Sequence, residues 1–351
     1  MFQSLVIAIG AGLAAALLFF IPVKGTSFAA TAALFNALPL MIAGLAFSPS
    51  AALIGALAGV IALFAGLVAV ADVDVGPAFI FCAFFATTSA LPAWQLTRLA
   101  WLGRPAEEGE TPAPDGLVWY PIGRLVAWMI GMSVAAALAG LLVAISRAGS
   151  FESFVELATR RLGPVLENAL GAGLRLPGDL TVEDVVRAFV IGSAPAMAAW
   201  GVLTMTLNLW LAGRIALVSQ SLRRPWLAVP EHFDLPRALL PAFALALALS
   251  LIDGLPRAVG ATLALAIGVA LALKGLAWIH EGTRATAGRG AILAGVYAAL
   301  FLLFPLPAPI LAGIGLSAML FPRRRTPRAP PGPPAANSNQ SSPTQSNDHK
   351  E

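Results

Sequence analysis

Residues 25–71 read GTSFAATAALFNALPLMIAGLAFSPSAALIGALAGVIALFAGLVAVA, 47 positions without a charged side chain. About 20 apolar residues suffice for a helix to cross some 30 Å of hydrocarbon, so this run holds two crossings. Ser48-Pro49-Ser50 divides it, since proline cannot donate inside a helix and serine favours its start. The predicted spans are 28–47 and 51–71, with Asp72 and Asp74 closing the second.

Outward from this stretch the pattern repeats. Residues 1–23 carry no charge and give a span near 4–22, expected to be retained rather than cleaved because no basic residue precedes it. Further spans are predicted at 75–96, 119–146, from Thr181 to Gly213, at 237–252 and at 258–280. Thr181 and Asp184 have the spacing of a capping box. Residues 290–322 are again uncharged, but Pro305, Pro307 and Pro309 interrupt them, so two short helices or one span with a re-entrant piece both fit. The fold class is therefore all-α: a polytopic transmembrane bundle of eight spans plus one or two short ones.

Composition agrees. Of 351 residues 58% are hydrophobic and 11% charged, under half the charge of a soluble domain. Soluble globular, disordered and disulfide-rich secreted classes are excluded for the chain as a whole. The only cysteine, Cys82, can form neither an intrachain disulfide nor a cysteine metal cluster.

Four regions follow: a four-span bundle at 1–96, a polar loop at 97–118, a helical membrane region at 119–321, and a tail at 322–351. Proline, serine and asparagine dominate the tail, which is expected to be disordered. Within 147–187, Phe151, Phe154, Val155, Leu162, Val165, Leu166 and Ala169 recur at helical spacing among charges, which predicts an amphipathic helix outside the bilayer. With the N-terminus inside, thirteen arginines fall in inner loops and the tail, among them Arg98, Arg124, Arg214, Arg284 and Arg323. This places both termini in the cytoplasm of a bacterial inner membrane and requires an even number of crossings. The basic loops suit anionic lipid headgroups and give no evidence for nucleic acid.

Chemistry-bearing patterns are few. Gly10-Ala11-Gly12 and Gly313-Ile314-Gly315 match fragments of a dinucleotide fingerprint, but that motif needs a soluble strand–turn–helix unit. Small residues in such spans serve close helix packing: Gly55 with Gly59, Ala11 with Ala15, and Gly12 with Ala16. His280-Glu281 lacks a second histidine, since Arg284 stands there; His232 and His349 make a zinc site improbable, and no metal or cofactor is expected. No catalytic set of acid, base or nucleophile is visible, so an enzyme is not expected. The polar groups inside spans are Asn36, Asn208, the trio Thr87-Thr88-Ser89, and one deep charge, Lys274. Asn208, Lys274, Thr87, Thr88 and Ser89 are the ligand-binding candidates. Lys274 has two equal alternatives, a pocket role or snorkelling to the interface.

Three stretches together resemble the YybS-like predicted membrane proteins, a family of unknown function grouped with the S components of energy-coupling-factor vitamin transporters. They are Asn208-Leu209-Trp210-Leu211-Ala212-Gly213-Arg214, Pro230-Glu231-His232-Phe233-Asp234-Leu235-Pro236, and Lys274-Gly275-Leu276-Ala277-Trp278-Ile279-His280. Lys274 departs from the family's usual glutamine, and the family's closing motif is reduced to Phe321-Pro322-Arg323. The resemblance implies a helical unit that binds a small molecule between helices without hydrolysing ATP. It also implies that small residues on the first helix, here Ala11 and Ala15, meet a coupling subunit. The alternative function is a membrane scaffold or assembly factor for cell-envelope proteins.

Overall fold

The computed structural model describes residues 2–21, 31–110, 112–170, 180–226 and 233–321. The expected tail at 322–351, the start of the second span and His232 lie outside these residues.

The chain is a bundle of apolar helices. In order they are α1 (Phe2–Phe20), α2 (Thr31–Ala46), α3 (Pro49–Ala69), α4 (Val75–Ala100), α5 (Ile122–Ala148), α6 (Phe151–Leu170), α7 (Val182–Val218), α8 (Leu239–Ser250), α9 (Leu255–Gly282), α10 (Arg289–Leu302) and α11 (Pro307–Leu320). Among the described residues, six are long and apolar enough to cross a membrane: α1, α3, α4, α5, α7 and α9. Eight such helices were expected; the second predicted span, 28–47, is described only as the 16-residue Thr31–Ala46, and the seventh falls short for a local reason. The seventh predicted span contracts to the 12 residues of α8, between the Pro236 turn and a chain reversal at Gly254 with φ 81°. At 1.5 Å per residue that is about 18 Å, short of the hydrocarbon thickness. Within 290–322 the prolines separate two 14-residue helices, α10 and α11.

The polar loop is not wholly irregular. Gly103–Pro105 (β1) pairs antiparallel with Leu117–Trp119 (β2), the only strands among the described residues. Arg104 holds Glu110 at 2.6 Å, and Trp119 Nε1 donates to Asp115 at 2.9 Å. The Arg104 guanidinium and the Glu107 backbone N–H hold the Glu110 carboxyl below its ordinary pKa.

Two crossings use glycine for close packing, and the first involves the Gly55–Gly59 pair read from the sequence. Gly55 and Gly59 on α3 face Gly12 on α1: a Cβ at Gly55 would lie 2.7 Å from the Ala8 carbonyl, and one at Gly59 2.8 Å from that of Gly12. The second crossing joins α9 to α11, where a Cβ at Gly275 would strike the Leu311 carbonyl and one at Gly315 the Leu271 carbonyl. Gly315 therefore serves backbone approach, whereas a Cβ at Gly313 would meet nothing within 4 Å. Ala15 is 0% exposed and Ala11 is half-buried beside Ala8, Ala43 and Ala51, so Ala15 is enclosed by its own chain.

Helix α7 begins with the expected capping box: Thr181 N–H donates to Asp184 Oδ2 at 2.9 Å, and Asp184 N–H to Thr181 Oγ1 at 3.1 Å. Its 37 residues span about 55 Å, far beyond one bilayer core. The amphipathic helix α6 packs on its first turns through Val155, Phe151 and Phe154 against Val182, Val186 and Val190. The predicted apolar stripe divides, however. Leu166 joins the contact, whereas Leu162 and Val165 are exposed.

Candidate functional site

Two helices break where they meet. Pro39 has no N–H to offer the Phe35 carbonyl four residues earlier. The Leu38 N–H donates to that carbonyl instead, at 3.1 Å. Residues 34–37 consequently form a turn inside α2, and the Leu34 carbonyl loses its helical donor. Asn208 of α7 replaces it: its Nδ2 donates to Leu34 O at 2.7 Å and to its own helix at Thr204 O, also 2.7 Å. Asn208 is 0% exposed, and its Oδ1 finds no donor among the described residues.

The second break lies in α4. Pro92 cannot donate to Thr88, and the Leu91 N–H reaches back five residues to Ala86 O. The ladder slips by one position, and Ala86–Ala90 form a π-helical turn. Such single-turn insertions occur frequently at functional sites.

Between the two breaks is a cavity of about 370 Å³, within the range of small-molecule sites. Phe19 of α1, Phe81 and Phe84 of α4, and Met197, Trp200 and Met205 of α7 provide apolar walls. Phe19 stacks obliquely on Phe84 with centroids 5.8 Å apart. The polar lining comes from Asn36 at the α2 turn, Thr87, Thr88 and Ser89 at the π-turn, Ser133 of α5 and Thr204 of α7. No lining residue is charged.

The three threonine hydroxyl protons are already committed. Thr87 Oγ1 donates to Ala83 O at 2.8 Å, Thr88 Oγ1 to Phe84 O at 2.6 Å, and Thr204 Oγ1 to Trp200 O at 2.8 Å. Each oxygen keeps lone pairs but no free proton, so these hydroxyls present acceptors. Asn36 makes no side-chain hydrogen bond among the described residues and offers both an acceptor and two donors.

The predicted candidates thus divide into three positions. Thr87, Thr88 and Ser89 line the cavity together. Asn208 lies behind its wall and supports Leu34, which does line it. Lys274 lies elsewhere: its ammonium donates to the Phe233 carbonyl and pairs with Asp234 at 2.9 Å. Lys274 is 13% exposed and Asp234 65%. The segment 233–235 is also pressed on α5, since a Cβ at Gly123 would collide with the Asp234 carbonyl. Lys274 therefore fastens a connecting segment across α5 and α9.

The remaining motif residues also make contacts within the chain. The Arg214 guanidinium lies 5.5 Å from the Trp226 ring centre, His280 Nε2 lies 2.9 Å from Tyr297 Oη, and Leu276 and Ala277 are half-buried along α9. Sequence reasoning named neither Ser133 and Thr204 nor the aromatic walls as site residues. Pro39 and Pro92 were the available signal, because each marks a carbonyl left without its helical donor.

Comparisons with known protein families, curated proteins and solved structures return no match.

Proposed function

We propose that this multi-pass membrane protein captures a small uncharged solute bearing N–H or O–H donors on an apolar or aromatic frame. The carrying observation is that two interrupted helices converge on one uncharged cavity whose threonine hydroxyls face it as acceptors. Donors on the solute would match those acceptors, its ring would stack between Phe84 and Trp200, and the absence of charge in the lining disfavours ions. In non-helical membrane segments, irregular backbone is tolerated where it lines a cavity. The reading extends the S-component resemblance: a solute-binding subunit in a bacterial inner membrane with an inward N-terminus, leaving nucleotide hydrolysis to a partner.

Thermal unfolding of the purified protein across a panel of vitamins and nucleobases tests this. A stabilising compound whose effect disappears in Thr88→Val and Trp200→Ala supports it; no shift across the panel counts against it. A second reading, a scaffold for envelope proteins, draws on the exposed Leu157, Leu162 and Val165 of α6. Crosslinking followed by co-purification separates the two, since a transporter ATPase supports the first and envelope-synthesis proteins the second.

A further inference from the structure

Beyond the last turn of α7, the chain reverses sharply. Gln220 adopts a left-handed conformation with φ 55°, costly for a residue with a side chain. The N–H groups of Ser221 and Leu222 both return to Ala216 O, at 2.9 and 3.1 Å. Leu222 packs against the main core and holds the reversal in place.

The turn carries Arg223 back over the end of α4, with Arg224 following it in the chain. The Arg223 guanidinium lies 5.2 Å from the Trp101 ring centre, while Trp226 lies beneath Arg214 at 5.5 Å. Arg98, one turn before Trp101, lies 6.0 Å from the Trp94 ring centre. Two chain ends thus carry three guanidinium–indole contacts, with Arg224 next to Arg223 in the chain.

No Asp or Glu pairs with these arginines among the described residues. Nor do they serve as caps for α7, because backbone N–H groups already take its last carbonyls. Arg224 is half-buried, and its burial disfavours the charged form, with no acid among the described residues opposing that effect. A guanidinium stays protonated at neutral pH, so among the described residues these arginines carry charge without an anionic partner.

We propose that Arg223 and Arg224, flanked by Arg98 and Arg214, bind a phosphate group at this end of the bundle. The planar guanidinium fork matches phosphate oxygens two at a time. Indole rings concentrate at the membrane–water interface, so Trp94, Trp101 and Trp226 set the site at headgroup depth. A phospholipid headgroup and a soluble phosphate share this chemistry.

The test uses the full-length protein in detergent, titrated with phosphatidylglycerol, phosphatidylcholine or inorganic phosphate, with bound lipid read by native mass spectrometry. The unmodified protein is expected to retain phosphatidylglycerol in preference to phosphatidylcholine. Arg223→Gln and Arg224→Gln should each weaken that retention about tenfold, the scale of one charge-assisted hydrogen bond. Arg257→Gln, whose native side chain pairs with Asp253 at 2.6 Å near the other end, should not. Displacement of the lipid by millimolar phosphate supports a phosphate site and assigns it to a soluble ligand; its absence alongside headgroup preference assigns the site to lipid. Equal retention of both lipids by the unmodified protein, with no effect of phosphate, overturns the proposal. So does undiminished phosphatidylglycerol binding by both glutamine variants. The headgroup comparison on the unmodified protein stands even if a variant does not fold.

Discussion

The side-chain amide of Asn208 donates to the carbonyl oxygen of Leu34, 174 positions earlier in the chain. It supplies from α7 the hydrogen bond that Pro39 denies to α2, and so holds a broken helix at the cavity wall. Asn208→Leu keeps the volume and removes the donor. The Thr204 carbonyl still has its helical N–H, so one buried carbonyl, that of Leu34, is left bare. The expected cost is about 1–3 kcal/mol, measured as a fall in unfolding temperature in detergent. Unchanged stability would mean that Leu34 finds another donor.

Packing at Gly12 gives a prediction with an internal control. A Cβ there would collide with the Gly55 carbonyl, whereas one at Gly10 meets nothing within 4 Å. Gly12→Ala is expected to lose about 1–3 kcal/mol through overpacking, while Gly10→Ala is neutral or gains up to about 1 kcal/mol from helix propensity. Equal effects at the two positions would refute the close crossing of α1 and α3.

How much of this was legible beforehand depends on the range of the interaction. Charge-free runs located the six long helices because the hydrocarbon requirement acts on each segment alone, but they made the shorter α2 and α8 look like full spans. Gly55 and Gly59 could be read because four residues return to the same helix face. The Thr181–Asp184 cap could be read because its partners are three apart. Hydropathy could not register the break in α2, since Leu34 and Phe35 are as apolar as any helical neighbour. The Asn208–Leu34 bond was illegible because nothing local specifies which carbonyl an asparagine will meet. The same holds for Lys274, whose partners lie 41 and 40 residues away.

Lys274 and Asp234 are predicted to differ as mutants despite forming one pair. Asp234 is largely solvated, so Asp234→Asn should cost no more than about 1 kcal/mol. Lys274→Met also removes the donor to the Phe233 carbonyl, and should release the segment 233–236. Hydrogen–deuterium exchange at Leu235 checks this: faster exchange is expected in Lys274→Met than in Asp234→Asn. The reverse order would contradict the fastening role.

The ribbon of β1 and β2 should weaken in acid. Glu110 has a folded-state pKa below its ordinary value because of Arg104 and the Glu107 N–H. Its contribution is therefore complete above the unfolded carboxyl pKa, about 4.3, and is lost as pH falls through the lower folded value. The difference in proteolytic protection of residues 103–119 between the native chain and Glu110→Gln should be constant near neutrality and vanish in strong acid. A difference that instead grows on acidification would contradict the ion pair.

Helix α7 is one rod serving two surroundings. Pro195 interrupts its ladder, since it cannot donate to Ile191. From Pro195 to Val218 the rod covers about 36 Å, and some 20 Å extend beyond that toward α6. Asn208, Thr204 and Trp200 all sit on the longer arm. A guest seated against the longer arm would thus share one helix with the surface on which α6 rests, Val182, Val186 and Val190.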